Sequence, residues 1–276
     1  MTAMTLCLDR PGAVPRLSAL HVNRARLAQP LLSSPARVKL LCAPAGSGKS
    51  ALFAECLAQA PTGCTVHWLA LHGVAQSPDQ LCRALARTLG LEAQDEPQLL
   101  AGLAQLSAPA WLFIDDYCRA SAPELDALLD RLLNASSPAL TWWLSGRRRP
   151  HCNWPRLLLD DDLHEAAAGE LAFNRGEIQQ LIAQLPHALC ANACERIFQR
   201  SGGWCACVRV ALQDSNGRSA DELKSGRSAI LLDYLHHELF SGLSPELAQA
   251  WRVLAHLPRF NLGLCEHLFG AGEGGH

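Results

Sequence analysis

Apolar side chains in this 276-residue chain recur in two rhythms: short unbroken runs, and longer stretches spaced every three or four positions. Four of the short runs, Val38 to Cys42, Thr65 to Leu71, Ala110 to Ile114 and Leu140 to Leu144, are nearly continuous in apolar character. A short run with no polar alternation is what a parallel strand covered on both faces requires, so these predict a parallel sheet. Between them Ser50 to Ala60, Pro78 to Leu89, Glu96 to Leu106 and Pro123 to Leu133 carry helical spacing. Strand and helix alternating in this way predict a three-layer α/β domain. Upstream, after a short polar leader, Leu17 to Leu32 is predicted as one helix, stopped by Ser33-Ser34-Pro35 and leading into the first strand.

The pattern changes after Pro150. His151 to Asp162 mixes Pro, Trp, Arg and the run Asp160-Asp161-Asp162, and reads as a connecting loop with a short helix. Leu171-Ala172-Phe173 is predicted as a last edge strand, and Asn174 with Glu177 forms a capping box for a helix running to about Gln184. From there the periodicity is all helical, over Cys194 to Gln199, Trp204 to Leu212, Ala229 to Phe240 and Pro245 to His256. Ser201-Gly202-Gly203, Ser215-Asn216-Gly217 and Ser241-Gly242 punctuate these segments, and Gly270 to His276 reads as a flexible tail. The expectation is a small helical module after the α/β core.

Chemistry enters at the end of the first strand. Leu40-Leu41-Cys42 runs into Ala43-Pro44-Ala45-Gly46-Ser47-Gly48-Lys49-Ser50 and then a helix, which is how a chain cradles a triphosphate. Gly46 and Gly48 let successive N–H groups turn inward, Lys49 can reach the β and γ oxygens, and the Ser50 hydroxyl can ligate Mg²⁺. The following helix aims its positive end at the same anion. Ala43 stands where this pattern usually has its first glycine, and a small residue suffices there. The fold class expected is therefore a P-loop NTPase sheet followed by the helical module.

Two further strand ends fit that site. Ala110-Trp111-Leu112-Phe113-Ile114-Asp115-Asp116 has the form of a Walker B strand, with Asp115 on the metal and Asp116 placed to orient or deprotonate a water. Ser50 and Asp115 are expected on opposite sides of one ion. The plainer reading of the acidic pair is a solvated turn. Arg147-Arg148-Arg149 follows the fourth strand, and Arg147, coming first, is the candidate γ-phosphate sensor. Three consecutive arginines cannot all face one phosphate, so at least one serves a basic loop or another partner. Gly203-Trp204 at a helix start reads as a packing anchor.

Net charge is −2, which argues against a nucleic-acid surface spread over the whole chain. No run reaches membrane-helix length and the N-terminus lacks a basic segment before a long apolar stretch, so a cytoplasmic chain without membrane contact is expected. The 12 cysteines lie mostly inside apolar runs and read as buried thiols of a reducing compartment. Cys190/Cys194 and Cys205/Cys207 lack the spacing of a zinc site.

With these residues in hand the chain resembles the STAND class of signal-transduction ATPases, and within it the large LuxR-type transcriptional activators typified by the maltose regulon activator. Carrying the resemblance are Val14-Pro15-Arg16-Leu17 and Arg24, the Ala43 to Ser50 loop, Ile114 to Tyr117, and Arg147 to Pro150. Glu170-Leu171-Ala172-Phe173, Gly203-Trp204 and Asp233-Tyr234-Leu235 before Glu238 continue it. It implies an adenine-contacting lead-in, with Arg16 and Leu17 as candidates, and a switch in which ADP holds a resting form while inducer and ATP favour a self-associating one. Cys205 stands where relatives often have proline. The family's sensor repeats and helix-turn-helix DNA reader do not occur in the chain, so inducer and DNA are expected as partners only through a C-terminal region beyond it. The boundaries implied are 1–36 for leader and first helix, 37–174 for the nucleotide-binding domain, and 175–276 for the helical module and the start of a winged-helix region. An ATP/ADP switch with slow hydrolysis is the leading function. A catalytic P-loop kinase or ATPase acting on a small molecule is the alternative, and a scaffold that has lost the nucleotide is a third.

Overall fold

The computed structural model describes residues 6–7, 14–214, 233–234, 236–240, 244–254, 256–257 and 261–269. It consists of two compact units, 1–212 and 213–276. The first is built on a six-stranded sheet: β1 (Leu6–Cys7), β2 (Val38–Cys42), β3 (Thr65–Ala70), β4 (Ala110–Asp115), β5 (Leu140–Gly146) and β6 (Leu163–Ala167). Their order is β1-β3-β4-β5-β2-β6 and every pairing is parallel. The four apolar runs are the central strands, as their composition predicts. Register puts Cys42 beside Gly146, and Ile114 beside Leu144, so β4, β5 and β2 end side by side.

Helices α1 (Ala25–Ser33) and α2 (Lys49–Leu57) cover one face; α3 (Pro78–Leu89), α4 (Glu96–Ala104) and α5 (Pro123–Ala135) cover the other. Alternate residues of one strand serve opposite layers. Leu40, Leu112 and Trp142 pack with Leu81, Leu99 and Leu128, whereas Leu41, Phe113 and Trp143 pack with Leu31, Leu52 and Phe53. A strand used on both sides has few positions for a polar residue, which is why these runs are nearly continuous in apolar character. Phe53 stands edge-on to Trp68, Phe113 and Trp143, an arrangement that aromatic quadrupoles favour. Local signals set the helix starts. Ser77 and Gln80 form a capping box at α3, and Asn174 and Glu177 form one at α7 (Arg175–Ala183).

Two expectations are corrected. The predicted helix over Leu17 to Leu32 is helical only from Ala25; before that the chain is irregular, with carbonyls taken from outside, His21 O by Gln184 Nε2 at 2.8 Å and Leu20 O by Arg209. Leu171-Ala172-Phe173 is not a strand. The last strand is β6, reached after the short helix α6 (Trp154–Leu159), and the apolar character of Leu171 and Phe173 reflects burial in the linker between the sheet and α7. Leu6–Cys7, inside the predicted leader, adds a strand at the opposite edge.

Helices α8 (Ala193–Ser201) and α9 (Cys205–Asp214) follow, with a third core of Val22, Phe173, Ile178, Leu181, Val208 and Leu212. In the second unit a π-helix (His236–Phe240), α10 (Pro245–Leu254) and α11 (Leu262–Phe269) are described. Ser244 accepts from Leu247 N at the start of α10, and Asn261 from Leu264 N at the start of α11. Much of the helix expected over Ala229 to Phe240, the two later turns and the Gly270 to His276 tail lie outside the described residues. No described helix is long and apolar enough to cross a membrane. The cysteines from Cys42 to Cys265 are free thiols.

Candidate functional site

The loop from Ala43 to Gly48 joins β2 to α2 and opens that helix at Lys49. Gly46 has φ 70° and Gly48 φ 78°, the left-handed region where a Cβ is costly, which is why these two positions are glycine. Ala43 is not in that region, so alanine meets no backbone penalty where the motif usually has glycine. It is buried at the strand end and its N–H donates to Gly146 O at 3.1 Å. Pro44 leads into the turn at Ala45 and Gly46, and Ser47, which follows it, is buried.

Lys49 is also buried, and its ammonium is folded back onto the loop, donating to Ala43 O at 2.7 Å and Pro44 O at 3.0 Å. Burial pushes its pKa below the ordinary lysine value; Asp116 opposes this, Arg147 adds to it and Asp115 opposes it. An incoming anion would replace the two carbonyls as its partner. Next in the chain, the Ser50 hydroxyl donates to Asp115 Oδ1 at 2.9 Å. Ser145, on the adjoining strand, donates to the same oxygen at 2.6 Å, and its own oxygen accepts from Asp116 N at 3.0 Å. Ser145 is thus the bracket that fixes the Asp115 carboxylate and the Asp116 backbone, a role the sequence leaves unmarked because serine at a strand end is ordinary.

Ser50 and Asp115, both expected on one ion, are therefore adjacent. Oxygens bound to Mg²⁺ at about 2.1 Å occupy neighbouring corners of an octahedron when they lie about 3 Å apart, so this pair matches one edge of such a shell. Asp116 turns away at φ 53°, its carbonyl accepting from Gly73 N at 2.6 Å. Its carboxylate accepts from Arg119 Nη2 at 2.8 Å and faces Arg147 Nε at 3.8 Å. Arg119, missed in the sequence, lies so close to Gly73 that a Cβ there would collide with its side chain.

The three arginines after β5 divide. Arg147 faces Asp116. Arg148 makes a bidentate pair with the fully buried Asp126, at 2.7 and 2.8 Å, and Arg149 reaches Glu165 on β6 at 2.6 Å. Burial alone would raise Asp126; Arg148, the N–H of His151 and the Tyr117 hydroxyl more than offset it and hold the carboxyl below its usual range. The pair is structural.

Arg16 and Leu17, the candidates of the lead-in, are exposed, and among the described residues neither hydrogen-bonds to the loop. Arg24 reaches it instead. Its buried guanidinium donates to Gly48 O at 2.6 Å and Leu171 O at 3.3 Å, while its N–H donates to Glu55 Oε2 at 2.8 Å. The start of α9 also meets the loop, with Trp204 Nε1 on Ala45 O at 3.0 Å and Ala206 N on Gly46 O at 2.9 Å. Gly203, at φ 79°, leaves no room for a Cβ against Phe173 O.

A loop of this form at the carboxyl end of β2, with two acids at the end of β4, defines the fold as that of the P-loop ATPases. No family model matches the chain. Among solved structures it is similar to the signal transduction ATPase with numerous domains (STAND) carrying a tetratricopeptide repeat sensor from Pyrococcus horikoshii, at TM-score 0.55 and 16% identity over 90% of this chain. It is similar also to the Walker-type ATPase of Pyrococcus abyssi, at TM-score 0.53 and 14% identity, covering 89% of this chain and 83% of that one. The chain spans 36% of the STAND protein's length.

Proposed function

We propose that this chain is an ATP/ADP-binding switch domain with slow ATP hydrolysis, the nucleotide-binding part of a LuxR-type transcriptional regulator. The observation that carries the nucleotide reading is the convergence on one sheet edge of the Gly46 to Lys49 amides, the Lys49 ammonium, the Ser50–Asp115 pair and Arg147. In this reading Ser50 and Asp115 hold Mg²⁺, which supplies charge neutralisation at the phosphates when bound, and Lys49 leaves the Ala43 and Pro44 carbonyls for the β and γ oxygens. Arg147 then meets the γ-phosphate, and Asp116 serves the attacking water.

Slow turnover is supported by the state of Asp116, whose carboxylate is drawn between two guanidinium groups and away from water-activating work. Inducer binding, DNA reading and self-association in the ATP state belong, in this proposal, to the longer regulator. The division 1–36, 37–174 and 175–276 is kept as its domain plan. Titration calorimetry with ADP and ATP in Mg²⁺ tests it: the wild type binds and Lys49→Ala does not, because backbone amides cannot replace the ammonium. Equal affinities in the two proteins would overturn the reading.

A further inference from the structure

The outer side of the phosphate loop is as fully bonded as its inner side is open. Ala45 O accepts from Trp204 Nε1 at 3.0 Å, Gly46 O from Ala206 N at 2.9 Å, Ser47 O from Cys205 Sγ at 3.3 Å, and Gly48 O from Arg24 Nη2 at 2.6 Å. Four consecutive carbonyls are thus held, three by the first turn of α9 and one by the lead-in. The donors are themselves anchored: Arg24 bonds Leu171 O, the single S–H of Cys205 is shared between Ser47 O and Leu171 O, and Gly203 O accepts from Phe173 N at 2.8 Å.

A peptide unit is planar, so the carbonyl of one residue and the N–H of the next turn together. Holding the carbonyls of Ala45, Gly46, Ser47 and Gly48 therefore orients the N–H groups of Gly46, Ser47, Gly48 and Lys49, the donors a P-loop offers to phosphate. We infer that Trp204, Cys205 and Arg24 are positioning residues for the nucleotide, and that α9 docking and phosphate binding strengthen one another through these shared peptide planes. An anion on the inner N–H groups polarises the peptides and makes their outer carbonyls better acceptors; α9 on the carbonyls makes the amides better donors. The guanidinium on Gly48 O polarises the Lys49 amide most, since it brings a full charge. By linkage, nucleotide occupancy must then be felt at α9, with no contact between α9 and the nucleotide required.

This inference rests on the nucleotide reading for its ligand, but its first test does not. Trp204→Phe keeps a ring and removes one donor; Trp154→Phe removes the same kind of bond, indole to carbonyl, to Pro150 O at 2.6 Å, away from the loop. In the nucleotide-free full chain, hydrogen exchange at the Gly46 to Lys49 amides is expected to quicken in Trp204→Phe and not in Trp154→Phe. MgADP binding is expected to weaken roughly 3–10-fold in the first variant only, the loss of one hydrogen bond. ADP is also expected to slow exchange along the start of α9 in the wild type. If Trp204→Phe matches Trp154→Phe in loop exchange, the inference is overturned. If ADP binds none of the proteins the nucleotide reading falls, while loop exchange still decides the positioning role. Should Trp204→Phe fail to fold, Cys205→Ala, which frees Ser47 O, carries the same measurements.

Discussion

Replacing Asp116 by asparagine separates binding from hydrolysis. Asp116 is at φ 53°, a conformation costing about 1–2 kcal/mol for most residues but tolerated by asparagine, so Asp116→Asn changes charge without disturbing the backbone where Asp116→Ala would do both. The ion pairs lost are partly exposed, with side-chain exposures of 24% for Asp116, 43% for Arg119 and 19% for Arg147, and exposed pairs are worth about 0.2–1 kcal/mol each. The variant should therefore fold. Asp115, with Ser50 and Ser145 on its Oδ1, is untouched, so nucleotide affinity should stay within about 3-fold of wild type, or about 0.6 kcal/mol. Hydrolysis should fall by about 10²–10⁴, the contribution of a positioned general base. Single-turnover hydrolysis of labelled ATP, beside calorimetry on the same samples, reads both quantities. The reasoning is refuted if Asp116→Asn loses nucleotide as fully as Asp115→Asn, if its hydrolysis matches wild type, or if wild-type turnover already exceeds about 1 s⁻¹, the lower end of ordinary enzymes.

Other outcomes follow from the same geometry. Arg119→Ala, which frees one side of Asp116, should raise basal ATP hydrolysis at unchanged ADP affinity; a drop in hydrolysis would assign Arg119 to the reaction itself. Arg148→Ala should cost about 3–5 kcal/mol in urea unfolding because it strands the buried Asp126 carboxylate, whereas Arg149→Ala, at an exposed pair, should cost under about 1 kcal/mol. Lys39 is buried in β2 with one carbonyl partner, Ser34 O, and burial lowers its pKa to about 8 from 10.5. The unfolded chain then binds the extra proton between those values, so this lysine's penalty is full below pH 8 and fades as pH rises toward 10.5. Lys39→Met should accordingly stabilise the protein at pH 7 by at most about 3 kcal/mol, with a smaller gain at pH 10 in paired denaturation curves.

The sheet was legible where burial was two-sided. Val38 to Cys42 and Leu140 to Leu144 are apolar apart from Lys39 and Thr141 because neighbouring residues serve different layers, the pattern of a strand covered on both faces. Strand β6 escaped because it is an edge strand carrying His164 and Glu165, while Leu171 and Phe173, apolar but in a linker, drew the assignment instead. Burial alone does not distinguish a strand from a packed turn. The inner side of the site, Lys49, Ser50, Asp115 and Asp116, was legible because side-chain chemistry names it. The outer side was not: Arg24 and Trp204 act on main-chain carbonyls, which every residue possesses, so no side-chain pattern records those partners. Arg119 escaped for a related reason, since its place depends on the turn at Gly73, far away in sequence.

The strand order sets a timetable for synthesis. Strand β2 delivers the phosphate loop near the start of the chain, yet its neighbours are β5, where Val38 meets Trp142, and β6, where Val38 meets Leu163. At ~5–20 residues per second the ribosome needs roughly 5–20 s to supply the first of these partners. Until then this buried strand has both edges unpaired, an invitation to wrong pairing. The last donors to the loop, Trp204 to Ala206, emerge later still. A nascent chain stalled between β2 and β5 should be the aggregation-prone species and a client for chaperones, and nucleotide can assist folding only near the end, after the loop's own supports have been made.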